Sequence, residues 1–353
     1  MTSTPSSHAV IGAGIAGLAC ARALAEAGHD VTVFDKARGP GGRMSSRRLE
    51  EGAIELGAQS FRAAHPAFRR QVDAWVKAGV AAPWPDALWR LAAGRATRRA
   101  DGRPRYTGTP RMSAVTRHLA RGLTLRAATR IVSLARDGDG DGDGWRLADE
   151  RGNTHGPFAT VSLALPAPQA EGLIAPHAPG LASECRQLPQ RACWAAWARL
   201  EAPLALPGAE AGWPLLQFDE GPLKRVVRHR TKPGREDAPE LITLLADLDW
   251  SERRLEDAPD AVAEDLLAAL NAALETLRPA AGLPAVQARG AHRWRYAEPG
   301  AVAPGDDHRL TDTGLALCGD GWRGGRIEDA WLSGHHLGEA LCHRLSDPGD
   351  FPT

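Results

Sequence analysis

His8-Ala9-Val10-Ile11-Gly12-Ala13-Gly14-Ile15-Ala16-Gly17-Leu18, continued by Val31-Thr32-Val33-Phe34-Asp35, is the stretch that decides the fold. The apolar run His8–Ile11 predicts a strand, and Gly12 to Gly17 a tight turn. Leu18–Ala27 predicts a helix closed by Gly28, and Val31–Phe34 a second, β-branched strand. Two parallel strands joined by a helical crossover open a doubly wound α/β sheet. Gly12, Gly14 and Gly17 fit G-x-G-x-x-G: the first permits the turn, the second lets backbone approach a pyrophosphate, and the third lets helix and strand pack closely. The helix start, Ile15 and Ala16 included, offers N–H groups and a positive dipole end to phosphate. Asp35 ends the second strand, where a carboxylate accepts hydrogen bonds from a ribose hydroxyl. Strand, turn, helix and acid together predict a dinucleotide site; NAD and FAD stay open at this point.

Two further segments bear on that choice. Gly41-Gly42-Arg43-Met44 supplies more backbone N–H groups and a guanidinium whose planar fork suits phosphate oxygens. Leu315-Ala316-Leu317-Cys318-Gly319-Asp320-Gly321 is a strand running into a glycine turn with one acid, the kind of second strand end that an FAD ribityl chain needs. The helix from about Ile327 is placed to aim its positive end at a flavin pyrimidine.

The bulk properties set limits. A chain of 353 residues, 43% hydrophobic, has room for two domains and a sizeable core. Lys+Arg and Asp+Glu both count 43, so charge gives no reason to expect nucleic acid or an anionic membrane as partner. Cys20, Cys185, Cys193, Cys318 and Cys342 are scattered, which speaks against a disulfide scaffold and for a reducing cytoplasm. Ala9–Ala25 imitates a signal peptide, but no Lys or Arg precedes it and three glycines interrupt it. No segment approaches the roughly 20 apolar residues of a membrane span.

The remaining chain reads more coarsely. Helical spacing covers Ala63–Trp89. Strands are expected at Leu123–Leu125, Ile131–Leu134, Trp145–Leu147 and Phe158–Leu165, then near Ala192–Leu200, Lys224–His229 and Leu241–Ala246. Ala261–Leu277 carries an apolar stripe of Val262, Leu266, Leu270, Ala273 and Leu277. The expected division is a discontinuous cofactor domain (1–75, 106–166, 286–353) with an inserted substrate domain (76–105, 167–285). If Ala291–Ala297 is a strand, His292, Trp294 and Tyr296 share one face, away from Arg293 and Arg295. Such an aromatic face either fills a core or stacks on a flat ring substrate.

The fingerprint, Gly41–Met44, Leu56-Gly57-Ala58-Gln59, Cys318-Gly319-Asp320-Gly321-Trp322 and Gly324-Gly325-Arg326-Ile327-Glu328 together resemble the amine-oxidase-type FAD superfamily. Within it, His292-Arg293-Trp294-Arg295-Tyr296 and the Gly-Asp-Gly-Trp ending are most similar to bacterial renalases. The resemblance covers both termini and the overall length. It implies a Rossmann-like FAD-binding domain with an inserted α+β substrate domain, the amine oxidase/p-hydroxybenzoate hydroxylase-like architecture, and noncovalent FAD. It adds Lys36, Gly42, Ala58, Gln59, Ile131, Val132, Arg326 and Ile327 to the expected cofactor contacts. Trp294 and Tyr296 become pocket liners with Trp322 near them, and His292 an orienting residue. The implied activity is oxidation of misreduced NAD(P)H isomers, chiefly the 2-dihydro form, to NAD(P)+, with hydride passing to flavin N5 and dioxygen leaving as hydrogen peroxide. Asp35 stands where the family usually has Glu, and Ser60 where renalases often carry an aromatic. An amine oxidase or desaturase on the same scaffold, or a flavin-free binder like the GDP-dissociation inhibitors, are the alternatives.

Other motifs are set aside. Asp139, Asp141, Asp143, Gly144 and Glu150 match an EF-hand loop, but strands, not helices, flank them. Adjacent His335 and His336 point in different directions on a helix and make a poor metal pair.

Overall fold

Ser7–Ile11 and Asp30–Phe34 are almost wholly buried, as expected of parallel strands covered on both faces. The computed structural model describes residues 7–50, 52–84, 88–99, 102–136, 144–207, 209, 212–278 and 282–346. Asp139, Asp141 and Asp143 of the EF-hand pattern lie outside them. The first sheet has six strands in the order His308–Leu310, Leu315–Cys318, Thr160–Leu163, Ser7–Ile11, Asp30–Phe34, Thr124–Arg126. All neighbours are parallel except the edge strand His308–Leu310.

One face carries helices Ile15–Glu26 and Ile327–Ser346, whose Leu18, Leu24, Leu337 and Leu341 share a core with Val10 and Ala316. Two glycines set the spacing of this helix pair. A Cβ on Gly334 would lie 1.9 Å from the Ala16 carbonyl oxygen, and one on Gly338 2.6 Å from the Ala23 Cβ. The last helix can therefore seat against the first only with hydrogen at both positions. The opposite face is covered by a three-stranded antiparallel sheet (Ile131–Arg136, Trp145–Asp149, Thr154–Phe158) and by helices Ala167–Ile174 and Pro179–Arg186.

The second sheet has seven strands: Val286–Pro299, Gln190–Leu200, Glu240–Ala246, Leu223–Arg228, Leu215–Phe218, Leu88–Ala92, Arg95–Arg99. Helix Pro259–Leu277 packs Val262, Leu266, Leu270 and Leu274 on one face, against Trp194, Ala196, Ile242 and Leu244. Full burial of each such leucine contributes about 1.5–3 kcal/mol. From the other face Ala195, Trp197 and Leu241 meet Ile54 and Leu56 of the first domain.

The structure redraws the expected boundaries in three places. Val286–Pro299 hydrogen-bonds along Gln190–Leu200 and so belongs to the second sheet, not to the cofactor domain. Helices Ala167–Ile174 and Pro179–Arg186, expected in the inserted domain, bury Ala170, Ile174 and Leu181 with Ile11, Val161 and Leu163 of the first. The helical segment expected to reach Trp89 stops at Lys77, where Gly79 adopts φ +70°, and Trp89 is buried in a strand.

His8 shows how the fold sets a pH dependence. Its ring is buried, its Nδ1 lies 2.7 Å from the Thr160 hydroxyl, and its Nε2 has no partner. Burial, then the charge of His29, pulls its pKa down from 6.5 to about 4. The folded chain thus resists a proton that the unfolded chain accepts below about pH 6.5. Stability is full above that pH, falls between pH 6.5 and 4, and this part of the loss then levels off. The shift corresponds to about 3 kcal/mol at most. Melting temperatures measured from pH 7 to 4 should show the fall, and His8→Gln should flatten part of it. Identical slopes in both proteins would remove His8 from the explanation.

Candidate dinucleotide site and interdomain cleft

The three fingerprint glycines are needed for three different reasons. Gly12 adopts φ +110°, and a Cβ there would lie 2.6 Å from the Ala164 carbonyl oxygen. A Cβ on Gly17 would lie 2.0 Å from the Gly12 carbonyl oxygen. A Cβ on Gly14 meets nothing within 4 Å, so this glycine keeps open the ground in front of the turn. Gly14 is also the N-cap of helix Ile15–Glu26, and no side chain caps that end. Uncapped first-turn N–H groups facing open ground suit a phosphate.

A second glycine turn lies against the first. The Gly41 N–H donates to the Ala13 carbonyl at 2.9 Å, and a Cβ on Gly42 would stand 3.4 Å from the Gly14 Cα. Met44, expected at the cofactor, is buried in the first-domain core. The Asp35 carboxylate accepts from Ala13 N at 2.6 Å and Ala37 N at 2.7 Å, so it ties the first turn to the loop that follows its own strand. Lys36 beside it is exposed. Thr129 N donates to the Asp35 carbonyl, bringing up the start of strand Ile131–Arg136, where Ile131 is buried and Val132 half exposed.

The two ends of the chain meet at Arg43. Its guanidinium forks onto the Asp320 carboxylate at 2.6 and 2.7 Å and also donates to the Ala297 carbonyl at 3.0 Å. These two side chains, expected to face a cofactor separately, thus hold each other. The Arg43 carbonyl accepts from Ala58 N at 2.9 Å, and Gly57 must lack a Cβ because one would lie 2.2 Å from that oxygen. Gly319 adopts φ +140°, its N–H held by Ser333 Oγ at 2.8 Å.

The helix that follows departs from expectation. Its first turn carries Glu328 and Asp329, both buried. Glu328 accepts from Ala64 N and His65 N at 2.7 and 2.6 Å, and Asp329 pairs with the largely exposed Arg326 at 2.9 Å. The positive helix end is therefore met by its own carboxylates, and Arg326 serves that end. Ile327 packs at the edge of the first-domain core. Trp322, expected near the pocket, lies in the core beneath, with the Arg309 guanidinium 4.8 Å from its ring centroid.

On Val286–Pro299 the expected alternation runs unbroken against Gln190–Leu200 through Trp294, and the register then slips before Glu298, so Tyr296 lies in an irregular stretch. Arg293 and Arg295 both pair with Glu256, while the His292 and Trp294 rings meet edge to face at 4.5 Å. The Trp294 indole donates to the Leu56 carbonyl at 2.8 Å, and its ring packs at the edge of the cluster formed by Ile54, Leu56 and Trp197. Tyr296 is half-buried beside Ala297. Burial, then Arg47, lowers the His292 pKa.

Sequence reasoning missed a buried polar cluster joining the domains. Glu55, wholly buried, lies 2.9 Å from Lys232 Nζ, 2.6 Å from Arg235 and 3.0 Å from His229 Nδ1. Gln59 donates to the Glu55 carbonyl at 2.6 Å and accepts from Lys232 at 3.1 Å. Burial alone would raise the Glu55 pKa, but Lys232, His229 and Arg235 outweigh it and hold the carboxyl well below its usual range. Burial lowers Lys232 to about 8 and His229 to about 4. At neutral pH the cluster thus holds one anion and two cations. The available signal was a lone acid inside the apolar run Ala53-Ile54-Glu55-Leu56.

Residues 10–75 match the NAD(P)-binding Rossmann-like domain family. Over 98% of its length the chain superposes on all of a protein from Exiguobacterium sp. 255-15 described as a protoporphyrinogen oxidase, with TM-score 0.74 and 14% identity. Over 97% it superposes on all of the cyclohexylamine oxidase of Brevibacterium oxydans IH-35A, again with TM-score 0.74 and 14% identity. This is the amine-oxidase fold. Within the amine-oxidase fold, the six-stranded sheet is the Rossmann-like dinucleotide domain and the seven-stranded sheet the inserted one. In sequence, the 4,4'-diapophytoene desaturase (4,4'-diaponeurosporene-forming) of Staphylococcus aureus is 45% identical over 49 residues. That match spans 14% of this chain and about a tenth of the desaturase's length. Among the described residues no helix is long and apolar enough to cross a membrane.

Proposed function

We propose that this chain holds one FAD noncovalently and oxidises isomeric dihydronicotinamide dinucleotides, chiefly the 2-dihydro form, to NAD(P)+ as a cytoplasmic repair enzyme. One observation carries the reading: Arg43 ties Asp320 of the carboxy-terminal turn to the Ala297 carbonyl of the aromatic strand. That bond fastens the aromatic strand to the carboxy-terminal turn, which supports Trp294 and Tyr296 as liners of the substrate side. Bound FAD supplies a two-electron acceptor that takes hydride from the donor carbon and returns the electrons to dioxygen as hydrogen peroxide.

The chain's own part is binding, orientation and exclusion. The Gly12–Gly17 turn and the first turn of helix Ile15–Glu26 hold the diphosphate. Gly42 and Ala58 approach it with backbone, Asp35 orders the ribose end, and Asp320 with Gly319 takes the sugar-alcohol chain. Trp294, its indole N–H already bound to Leu56, offers a fixed aromatic surface to the nicotinamide ring. Hydride transfer needs no general base here; the rate depends on how closely the donor carbon is held. The free thiols of all five cysteines accord with a reducing compartment.

Purified protein should be yellow, and anaerobic mixing with 2-dihydro-NAD should bleach it within a turnover. Trp294→Ala should raise the half-saturating concentration about tenfold, a stacking loss of roughly 1.4 kcal/mol. Bleaching by amines and by no dihydronicotinamide isomer would transfer the chain to the activity named for its cyclohexylamine oxidase neighbour.

A further inference from the structure

We propose that the interdomain cleft takes its substrate by a phosphate group seated on Arg225, a binding subsite for anions on the floor of the cleft. The inference rests on the dihydronicotinamide reading for the identity of the donor, but the subsite rests on geometry alone.

Gln217, Arg225, Leu245, Ala195 and His292 lie directly opposite one another across five strands of the second sheet. Side chains in such a row share one face. It is the face that carries Trp197 and Trp294 and meets Ile54 and Leu56 of the first domain. Arg225 is thus a cation on the cleft side of the sheet, in line with the aromatic strand.

Its surroundings leave it without a counter-ion. Its Nε is enclosed and has no hydrogen-bond partner, and among the described residues no carboxylate lies within ion-pair distance. Two charged groups act on it from further off: Glu298, which favours its charge, and Arg62 from the first-domain wall, which opposes it. Burial dominates both and lowers its pKa, although a guanidinium still keeps its proton at neutral pH. The two buried arginines Arg228 and Arg235 are, by contrast, paired: Arg228 forks onto Glu240, and Arg235 onto Glu55. A half-buried guanidinium with an unmade donor is costly, and an arriving phosphate would satisfy it with charge-assisted bonds. The unpaired Arg225 guanidinium favours an anion over an ammonium at this point of the sheet.

The test uses the flavin-loaded protein and two donors with the same ring: 2-dihydro-NAD and an uncharged N-alkyl 2-dihydronicotinamide. Anaerobic flavin bleaching gives the dissociation constant and limiting rate for each. In Arg225→Gln the dinucleotide should bind at least tenfold more weakly at an unchanged limiting rate, with the uncharged donor unaffected and Arg225→Lys in between. Equal weakening of both donors would mean a structural role only, and no weakening would mean no subsite; either overturns the proposal. If neither donor bleaches the flavin, the dihydronicotinamide reading has failed and inorganic pyrophosphate decides the subsite. A perturbation of the flavin spectrum by pyrophosphate that Arg225→Gln abolishes sustains it; its absence in the unmodified protein sinks it.

Discussion

Gly14→Val should yield a folded, colourless protein. A Cβ at this position meets nothing within 4 Å, and the residue's φ of −75° and ψ of 179° are ordinary extended backbone for valine. The fold therefore has no reason to object. The diphosphate does, because the two added methyls stand before the uncapped start of helix Ile15–Glu26 and beside Gly42, where backbone must come close to phosphate. We expect FAD affinity to fall by at least about 100-fold, or roughly 2.7 kcal/mol. Flavin absorbance relative to protein absorbance, and FAD titration of the stripped protein, measure this directly. The melting temperature should match that of deflavinated wild type, since bound cofactor itself adds stability by mass action. Gly17→Ala is the opposite control. Its Cβ would sit 2.0 Å from the Gly12 carbonyl oxygen, so it should lose stability as well as colour. A yellow Gly14→Val protein of normal affinity would end the assignment of this turn to the diphosphate.

The amino-terminal unit was legible because its local rules and its tertiary role agree. Glycine spacing, an apolar strand and a strand-end acid all specify one turn, and Ser7–Asp35 folded as read. Side-chain alternation was legible from Ala288 to Trp294, since a period of two survives any choice of partner strand, but the register slips on either side of that run were not. Which sheet that strand joins was not, because pairing is a long-range choice that one strand's pattern leaves open. Trp322 misled for a related reason: a motif gives a residue's neighbours in sequence, while the Gly319–Trp322 turn directs the indole down into the core. Arg43 and Asp320 were singled out one at a time, 277 positions apart, and nothing local says that they meet. Glu55, Lys232 and Arg235 were hidden because each looks like a solvated charge until the partners are assembled.

That cluster carries the second large effect. Glu55→Gln should lower stability by about 3–5 kcal/mol, because the substitution keeps the shape and removes the sole anion between two buried cations. For a domain pair of this size the melting temperature should drop by roughly 10 °C. Lys232→Met should cost far less. Removing Lys232 leaves Glu55 paired with both Arg235 nitrogens at 2.6 and 2.9 Å, a neutral ion pair, and loses one bond to Gln59. The asymmetry follows from charge balance, not from bond count. It also has a pH signature. The Lys232 pKa is lowered from 10.5 to about 8, with burial the main cause. Between those values the unfolded chain binds the proton that the folded chain has released, so this residue makes stability rise from pH 8 to 10.5. Lys232→Met should abolish the rise, while Glu55→Gln should move the folded pKa lower still and start the rise earlier. Chemical denaturation of the three proteins at pH 7, 8.5 and 10 separates these outcomes. Equal losses for the two variants at pH 7, with parallel pH curves, would mean that packing rather than charge holds the cluster, and with it the two domains, together.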